Sequence, residues 1–392
     1  MTRLVKPHHP QMPIFVGGPH PSSAQADVLN QLVEVDFAFQ GEGELGVPVL
    51  VRHTSNGSKT ATNGLGEIPG LIYRSQEGVK CNPPVFYKDL DSFGYPPWGQ
   101  VLDLSPYRQF MPTFQARTKN SAPIVVTRGC PYNCTFCVGY KISGKGMRSR
   151  SLESTIEEVE LLYRKFGIRE IIIIDDNFTF DPSFVTKFCE TLLKKQLDIK
   201  WVMPNGIRLN TLTRDLLIKM KESGCHSIVI GVESGSQRIL KHMRKSLTLE
   251  TIKEKVSLAR SVGFPVHGFF ILGYPEETLE DILKTEEVAL RVPFTGATFS
   301  LFCPLPGSDI RKILEKRGEV RADETEPLQD SFSIPTYAPR GMTFSKLKRL
   351  QRKIMLRFYM RPRIIYHYLR SLFPLSRTWY VVRAGLRYFF YG

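Results

Sequence analysis

Hydrophobic and polar positions alternate in regular blocks from residue 121 onward. Short apolar runs of strand length are separated by stretches whose apolar residues recur every three or four positions, which is typical of helices. The predicted strands cover residues 124–127, 170–174, 199–203, 227–232, 266–272 and 298–303. The predicted helices cover residues 152–166, 182–195, 212–223, 248–262, 278–291 and 308–316. This alternation predicts an α/β fold, and six parallel units can form a partial (βα)6 TIM-like barrel over residues 121–325.

The active sites of such barrels lie at the C-terminal ends of the strands. Functional side chains are therefore expected directly after each predicted strand. The run from Ile171 to Ile174 is continuously apolar, which is typical of a strand covered on both faces.

The N-terminal region follows the same strand and helix pattern over a shorter length. Short strands are predicted at 13–16 and 35–39, with a helix at 24–32 between them. Strand, glycine turn, helix and strand are typical of a parallel sheet, but two strands are too few for a stable one. Residues 1–68 are therefore interpreted as the end of an α/β domain that is cut short. Residues 69–120 are rich in proline and aromatic residues and are interpreted as a linker.

The C-terminal region, residues 326–392, is predicted to be helical, basic and rich in aromatic residues. Leu347, Leu350, Ile354 and Phe358 share one face of a predicted helix. From Arg340 onward there are thirteen Lys or Arg and no acidic residue. Residues 1–339 therefore carry only +2 of the net charge of +15. Three interpretations stay open: helices packed on the barrel, contact of 340–392 with an anionic membrane surface, or RNA binding, of which nucleic acid is the least favoured.

The cysteine count points to metal or redox chemistry. Seven cysteines are present, three of them within eight residues, and a disulfide scaffold would be shorter and denser in cysteine. The N-terminus lacks the apolar segment of a secretory signal, and no run of 18 apolar residues is present. The protein is therefore expected to be cytoplasmic, with peripheral membrane contact left open by the basic tail.

The clustered cysteines are Cys130, Cys134 and Cys137, on the loop after the first predicted barrel strand. Three thiolates at this spacing can hold three corners of a cubane iron–sulfur cluster, and one iron then keeps an open position. The alternative is a structural zinc site with Cys225 or His226 as the fourth ligand. Zinc sites more often use paired Cys-x2-Cys knuckles, so the cluster is favoured.

With an aromatic residue before its last cysteine, this triplet resembles that of the radical S-adenosylmethionine (SAM) superfamily. The resemblance implies that the cysteines bind a [4Fe–4S] cluster and that SAM chelates the fourth iron. It also implies that an electron donor such as flavodoxin or ferredoxin reduces the cluster. Electron transfer then cleaves SAM to a 5′-deoxyadenosyl radical, which abstracts hydrogen from the substrate.

The same resemblance implies SAM contacts at residues that follow predicted strands. The carried-over candidates are Phe136 along the adenine, then Asp175, Asp176, Asn205, Arg208, Glu233, Ser234, Ser236, Gly268 and Gly273. Gly268 and Gly273 would let the adenine approach the backbone closely. Carboxylates, hydroxyls and glycines suit the ammonium, carboxylate, ribose and flat base of SAM. The alternative for Asp176 and Ser236 is to cap the turn or helix that follows.

The N-terminal segment from Val16 to Pro21, with residues 35–44, resembles the closing part of a cobalamin-binding domain. This implies a Rossmann-like remnant with Gly17 and Gly18 as cobalamin contacts, and cobalamin as a further cofactor. The strands expected before Pro13 and the Asp-x-His-x-x-Gly loop of many such domains are absent from the sequence. Either the domain is truncated or cobalamin binding has been lost.

The predicted function is that of a radical SAM enzyme acting on a small-molecule or lipid-like substrate by methylation, cyclisation or related carbon chemistry. Relatives of this kind include methyltransferases, tetrapyrrole ring cyclases and hopanoid-modifying enzymes. A tRNA or protein methylthiotransferase is an alternative, but that family needs a second cysteine trio upstream and only Cys81 precedes the triplet. A truncated, non-catalytic cluster-binding relic is the other alternative.

Overall fold

The computed structural model describes residues 6–55, 64–100, 118, 120–320 and 336–371. The chain divides into two compact units. The first comprises Met1–Tyr95, Thr127–Arg150 and Leu305–Glu319, and the second comprises Pro96–Val126, Ser151–Pro304 and Val320–Gly392.

The secondary structure confirms a mixed α/β chain. The strands are β1 (Phe15–Val16), β2 (Phe37–Phe39), β3 (Leu71–Ser75), β4 (Gly78–Cys81), β5 (Ser121–Ile124), β6 (Thr127–Arg128), β7 (Arg148–Ser149), β8 (Glu170–Ile173), β9 (Lys200–Val202), β10 (Ile228–Glu233), β11 (Val266–Leu272) and β12 (Gly296–Leu301). The helices are α1 (Pro19–Ala24), α2 (Ala26–Gln31), α3 (Gly46–Ser55), α4 (Gly139–Ser143), α5 (Leu152–Phe166), α6 (Pro182–Lys194), α7 (Arg214–Glu222), α8 (Gln237–His242), α9 (Leu249–Ser261), α10 (Leu279–Arg291), α11 (Asp309–Lys316), α12 (Phe344–Tyr359) and α13 (Pro362–Ser371). Single 3₁₀ turns lie at Leu65–Glu67, Asp91–Phe93, Phe178–Phe180 and Leu209–Thr211.

The described part of the first unit contains a sheet in the order β1-β2-β3-β4. The pair β1/β2 is parallel, whereas β2/β3 and β3/β4 are antiparallel. The hairpin β3–β4 lies in the segment that was interpreted as a linker, so that segment carries regular structure. After the hairpin, the buried Asn82 side chain donates hydrogen bonds to the carbonyl oxygens of Leu65 and Ile68 at 2.6 and 2.8 Å. These bonds fix the chain where it leaves the sheet.

The second unit contains the predicted partial barrel. In its described residues β5-β8-β9 and β10-β11-β12 form two parallel sheets. Two isolated parallel bridges link the sheets: Trp201 in β9 pairs with Cys225, which precedes β10, and Ile207, which follows β9, pairs with Ile230 in β10. The prediction of six parallel strand–helix units is confirmed, although β5 lies three residues earlier than predicted.

Short polar side chains set the starts of the helices. The residues that precede the helices and accept a backbone N–H bond on their side chains are Ser151, Asp181, Thr213, Thr248, Thr278, Ser308 and Thr343. At α10 a capping box is complete, because Asp281 also accepts from the backbone of Thr278. These caps explain why the predicted helix starts agree with the observed ones to within two residues.

Strand β11 shows how the barrel distributes its side chains. Val266, Phe270 and Leu272 are fully buried and belong to the main hydrophobic core. Their neighbours His267, Phe269 and Ile271 alternate with them and are only half-buried. Since the helices cover the outer face of such a barrel, this second set faces its interior.

Helix α12, in the C-terminal region, packs on β12 through the predicted apolar face. Leu347, Ile354 and Phe358 are buried in the core. The part of the predicted basic tail after Ser371 lies outside the described residues. In the ranges that the structure describes, no helix is long and apolar enough to cross a membrane.

Candidate active site

The three clustered cysteines lie on a loop closed at its base by β6 and β7. Thr127 pairs with Ser149 and Arg128 with Arg148 in a two-residue antiparallel ladder. Inside the loop Gly129 has φ +89°, and a side chain there would begin 2.1 Å from the carbonyl oxygen of Gly146. Only glycine fits this close approach of two backbone segments.

The surroundings of the thiols suit a cluster. Cys130, Cys134 and Cys137 are half-buried, and the backbone N–H of Gly139 donates to Sγ of Cys137 at 3.3 Å. Such N–H bonds to sulfur tune iron–sulfur clusters. Among the residues that the structure describes, no three side chains converge on a single metal position. A cubane does not require this, because each thiolate binds a different iron.

The two residues considered as a fourth zinc ligand are engaged elsewhere, in the second unit. His226 Nε2 lies 2.7 Å from Oε1 of Glu170, and both side chains are buried. Glu170 Oε2 also accepts the backbone N–H of Thr118. The thiol of Cys225 contacts the carbonyl oxygen of Ser227.

Two acidic residues and an amide follow β8. Asp175 is buried and its Oδ1 accepts the backbone N–H of Val126 at 2.8 Å, whereas Asp176 is exposed. Asn177 is 2% exposed, and neither atom of its side-chain amide has a hydrogen-bond partner among the described residues. A buried amide with no partner is costly, so a polar ligand at this position would satisfy it. Sequence reasoning had chosen only the two aspartates of this motif.

The end of β9 is joined to the end of β8. The exposed Asn205 donates from Nδ2 to the carbonyl oxygen of Ile174 at 2.7 Å. Arg208 is half-buried three residues later. The structure thus brings Asn205 to the strand end that carries Asp175 and Asp176.

Glu233, at the end of β10, has an unusual backbone. Its φ is +66°, and the register with β11 shifts between Gly231 and Glu233. Its Oε1 accepts from Lys245 Nζ at 2.7 Å, and both side chains are largely buried. A non-glycine residue in the left-handed region is strained, and such strain clusters at functional sites. Lys245, which sequence reasoning missed, gives Glu233 a buried positive neighbour.

The two serines after Glu233 bind neighbouring side chains. Ser236 Oγ donates to Oδ1 of Asp281 at 2.6 Å, and Ser234 Oγ lies 3.3 Å from Oγ1 of Thr285. Burial alone would raise the pKa of Asp281, but hydrogen bonds from Ser236, Thr278 and Arg238 hold that pKa well below its usual range. Ser236 occupies the N-cap position of α8 without making a side-chain cap bond.

The two glycines on β11 and after it have different surroundings. A side chain at Gly268 would begin 2.9 Å from Phe270 and 3.1 Å from Phe294, so these rings take up the space that the glycine leaves. A contact of Gly268 with adenine stays a prediction and would have to use the backbone. Gly273 has φ +84° and donates its N–H to Oε2 of the buried Glu277 at 2.6 Å.

The remaining candidates lie in the first unit. Phe136 is half-buried beside Cys137. Gly18 has φ +100° and precedes α1, and Gly17 lies against Phe39. Their contacts with SAM and cobalamin stay predictions.

Comparison with known proteins identifies the class. Residues 124–289 match the Radical SAM superfamily, so this part of the chain is a radical SAM domain. Such a domain implies a [4Fe–4S] cluster and SAM as cofactors, so the predicted superfamily and these two cofactors are confirmed. That Cys130, Cys134 and Cys137 hold the cluster stays a prediction.

Three relatives carry the likeness across most of the chain. The uncharacterized methyltransferase PH0819 of Pyrococcus horikoshii is 29% identical over 93% of this chain and 76% of that protein. Cytidylyl-2-hydroxyethylphosphonate methyltransferase of Streptomyces wedmorensis is 28% identical over 81% of this chain. The anaerobic magnesium-protoporphyrin IX monomethyl ester cyclase of Rubrivivax gelatinosus is 26% identical over 91% of this chain. The chain spans 63% and 62% of the lengths of the last two.

A solved structure shows the same fold. The radical SAM methyltransferase TsrM from Kitasatospora setae, with cobalamin and a [4Fe–4S] cluster bound, superposes with a TM-score of 0.62 at 20% identity. The superposition covers 88% of this chain and 67% of TsrM.

Proposed function

We propose that this protein is a radical SAM enzyme that modifies a carbon centre of its substrate by methylation, cyclisation or a related reaction. The observation that carries the proposal is the loop with Cys130, Cys134 and Cys137, half-buried and closed by a strand pair. When bound and reduced, the cluster supplies the electron that cleaves SAM. Methyltransferases and a cyclase among the relatives support this range of reactions.

The strand ends of the second unit supply the polar groups that SAM needs. Glu233, held by Lys245, is proposed to accept hydrogen bonds from the ribose hydroxyls. Asp175 and the amide of Asn177, which no described residue hydrogen-bonds, are proposed to bind the amino-acid end of SAM. Gly273, which lies in a buried turn with a left-handed backbone, is proposed to contact the adenine through its main chain.

The interior face of β11 and β12 supports an apolar substrate. Phe269 and Ile271 are half-buried there, next to His267 and Thr298. His267 Nε2 lies 2.8 Å from Thr298 Oγ1, and burial lowers the pKa of His267 to about 4. The imidazole is therefore neutral at physiological pH and offers a hydrogen bond without a charge. We propose that a largely uncharged substrate binds against this wall.

The described part of the N-terminal unit fits a cobalamin-binding domain poorly. It has one parallel strand pair, β1 with β2, whereas a Rossmann-like domain is built from several. No step of the proposed reaction is therefore assigned to cobalamin. Added cobalamin instead becomes one arm of the experiment.

The experiment is reductive cleavage of SAM by the anaerobically reconstituted protein. Dithionite and SAM are added with and without hydroxocobalamin, and 5′-deoxyadenosine and demethylated SAM are measured. The matched control replaces Cys130, Cys134 and Cys137 with Ala. Cysteine-dependent product supports the proposal. A preparation that holds the cluster and yields neither product contradicts it and favours the relic.

Membrane contact through the basic tail is a separate proposal. Arg349, Lys353 and Leu356 are exposed on α12 at spacings of four and three residues, and the exposed Met360 and Arg363 follow the C-terminal end of this helix. A stripe of cations and apolar side chains suits an anionic membrane surface, and this would agree with a lipid-like substrate. Flotation with phosphatidylglycerol vesicles tests it, with neutral vesicles as the control. Absence of binding at low salt would refute it.

A further inference from the structure

The acidic turn after β2 contacts the base of the cysteine loop. Glu42 binds Arg148 through both carboxylate oxygens, at 2.6 and 2.9 Å. Glu44 binds Arg128 at 2.6 Å, and Glu42 also lies 3.4 Å from Arg128. All four residues belong to the first unit.

The two arginines need this acidic partner. Arg128 and Arg148 stand directly opposite each other in the β6–β7 ladder. Like charges at directly opposite positions destabilise a strand pair. This ladder is only two residues long, so it has few other bonds with which to offset the repulsion. Glu42 lies against both arginines and neutralises them where the loop closes.

The contact is buried rather than superficial. The side chains of Glu42 and Arg148 are each 9% exposed. A bidentate pair of this kind has fixed geometry, and removing one partner leaves the other charged and desolvated. An exposed pair such as that of Glu77 and Lys80 in the same unit contributes little to stability. The buried pair of Glu42 and Arg148 is, by contrast, costly to break.

Arg148 also reaches into the cysteine loop itself. It donates to the carbonyl oxygen of Ser143 at 2.6 Å and lies over the ring of Phe86. That ring packs against Gly144, where a side chain would begin 3.0 Å from it. The carbonyl oxygen of Gly144 in turn accepts the backbone N–H of Cys130. A continuous chain of contacts thus runs from Glu42 to the first cysteine.

We propose that Glu42 is a positioning residue for the iron–sulfur cluster, acting through Arg148. The N-terminal segment would then hold the cysteine loop in its cluster-binding conformation, whether or not it binds cobalamin. Glu44 supports it by neutralising Arg128. This inference rests on the proposed function only in taking the cluster as the ligand of the three cysteines.

The first test needs no cluster. Trypsin is added to the apoprotein, and cleavage after Lys141 and Lys145 inside the loop is followed by mass spectrometry. Glu42→Gln is expected to be cut several-fold faster than the wild type, because the neutral amide leaves the two opposed arginines with one carboxylate, that of Glu44, in place of two. Asp36→Asn is the matched control, since it breaks the ion pair with Lys6 in the same unit. Equal cleavage of the wild type and Glu42→Gln, or equal acceleration in both variants, would overturn the proposal.

The second test measures the cluster without turnover. After anaerobic reconstitution, iron per chain and the decay of the visible cluster absorption in air are compared. Glu42→Gln is expected to hold several-fold less iron and to lose it faster, while Asp36→Asn behaves like the wild type. The double variant Glu42→Gln with Arg148→Gln should be no worse than the worse single variant. Strictly additive losses, or a full and stable cluster in Glu42→Gln, would overturn the proposal. A wild type that binds no iron would instead refute the proposed function. The trypsin result would then still decide whether Glu42 holds the cysteine loop in place.

Discussion

The side-chain carboxyl group of Glu277 accepts the backbone N–H of Gly273 on Oε2, at 2.6 Å, from four residues further along the chain. The same Oε2 accepts the N–H of Tyr274 at 3.2 Å, while Oε1 is buried and has no hydrogen-bond partner among the described residues. One buried carboxyl group therefore fixes the turn that follows β11. Burial raises the pKa of Glu277 to about 8, against the opposing effect of the two backbone bonds.

This raised pKa predicts a specific dependence of stability on pH. Between the ordinary pKa of 4.5 and about 8, the folded protein holds the proton that the unfolded chain has lost. The free energy of unfolding should therefore fall as pH rises through this window, by up to about 1.4 kcal/mol per pH unit, and level off above it. Glu277→Gln cannot ionise, so its Tm should depend less on pH between 6 and 9.

Thermal unfolding of both proteins at several pH values checks this prediction. Glu250→Gln, at an exposed position in the first turn of α9, is the control and should keep the wild-type slope. If Glu277→Gln and the wild type have the same slope, the carboxyl group of Glu277 is already ionised at pH 6.

A second prediction concerns the glycine before the first cysteine. Gly129→Ala places Cβ 2.1 Å from the carbonyl oxygen of Gly146 and keeps a left-handed φ, which alone costs about 1–2 kcal/mol. The loop must shift, so we expect this variant to bind much less iron on reconstitution. Gly146→Ala is the matched control, because none of the described residues lies within 4 Å of a side chain there. Equal iron content in the two variants would show that the loop adapts freely.

A third prediction separates structure from ligand binding at Ser236. Ser236→Ala removes the 2.6 Å bond to the buried carboxylate of Asp281, which should cost about 1.5–3 kcal/mol of unfolding free energy. Urea unfolding of the apoprotein measures this cost. Ser261→Ala, at an exposed position, should change little. A Ser236→Ala variant of wild-type stability that binds SAM more weakly would assign the hydroxyl to the ligand instead.

The sequence predicted the barrel well because its signals are local. Caps such as Ser151 and Asp181 fix where helices begin, and the run at Ile171 to Ile173 identifies a buried strand. The first barrel strand was placed three residues late, because its first half, Ser121 to Pro123, carries little apolar periodicity.

The candidate site was predictable in its residue types and less so in its contacts. The bond of Glu42 to Arg148 spans 106 residues, and that of Ser236 to Asp281 spans 45. No local pattern predicts such pairs. Lys245 and Asn177 were missed for the same reason. Only the fold shows that Lys245 lies beside Glu233 and that the buried amide of Asn177 has no hydrogen-bond partner in the described part of the chain.

The last prediction concerns how helix α12 protects the barrel. Strand β12 is an end strand in its described sheet, and such strands expose backbone groups that invite aggregation. Two side chains of α12 form hydrogen bonds with these backbone groups. Gln351 donates to the carbonyl oxygen of Phe299 at 2.6 Å, and the Tyr359 hydroxyl donates to the carbonyl oxygen of Ala297 at 2.6 Å. Gln351→Ala and Tyr359→Phe should each lower stability by about 1–3 kcal/mol, because a buried carbonyl loses its donor.

The two substitutions should also make the protein aggregate on mild heating, which light scattering can follow. The neighbouring Arg352→Ala changes an exposed position of the same helix and is the control. Variants that lose stability without aggregating would mean that β12 is shielded by packing of Leu347, Ile354 and Phe358 alone. Aggregation of the Gln351 and Tyr359 variants, with Arg352→Ala unaffected, would show that hydrogen bonds from α12 close the strand edge.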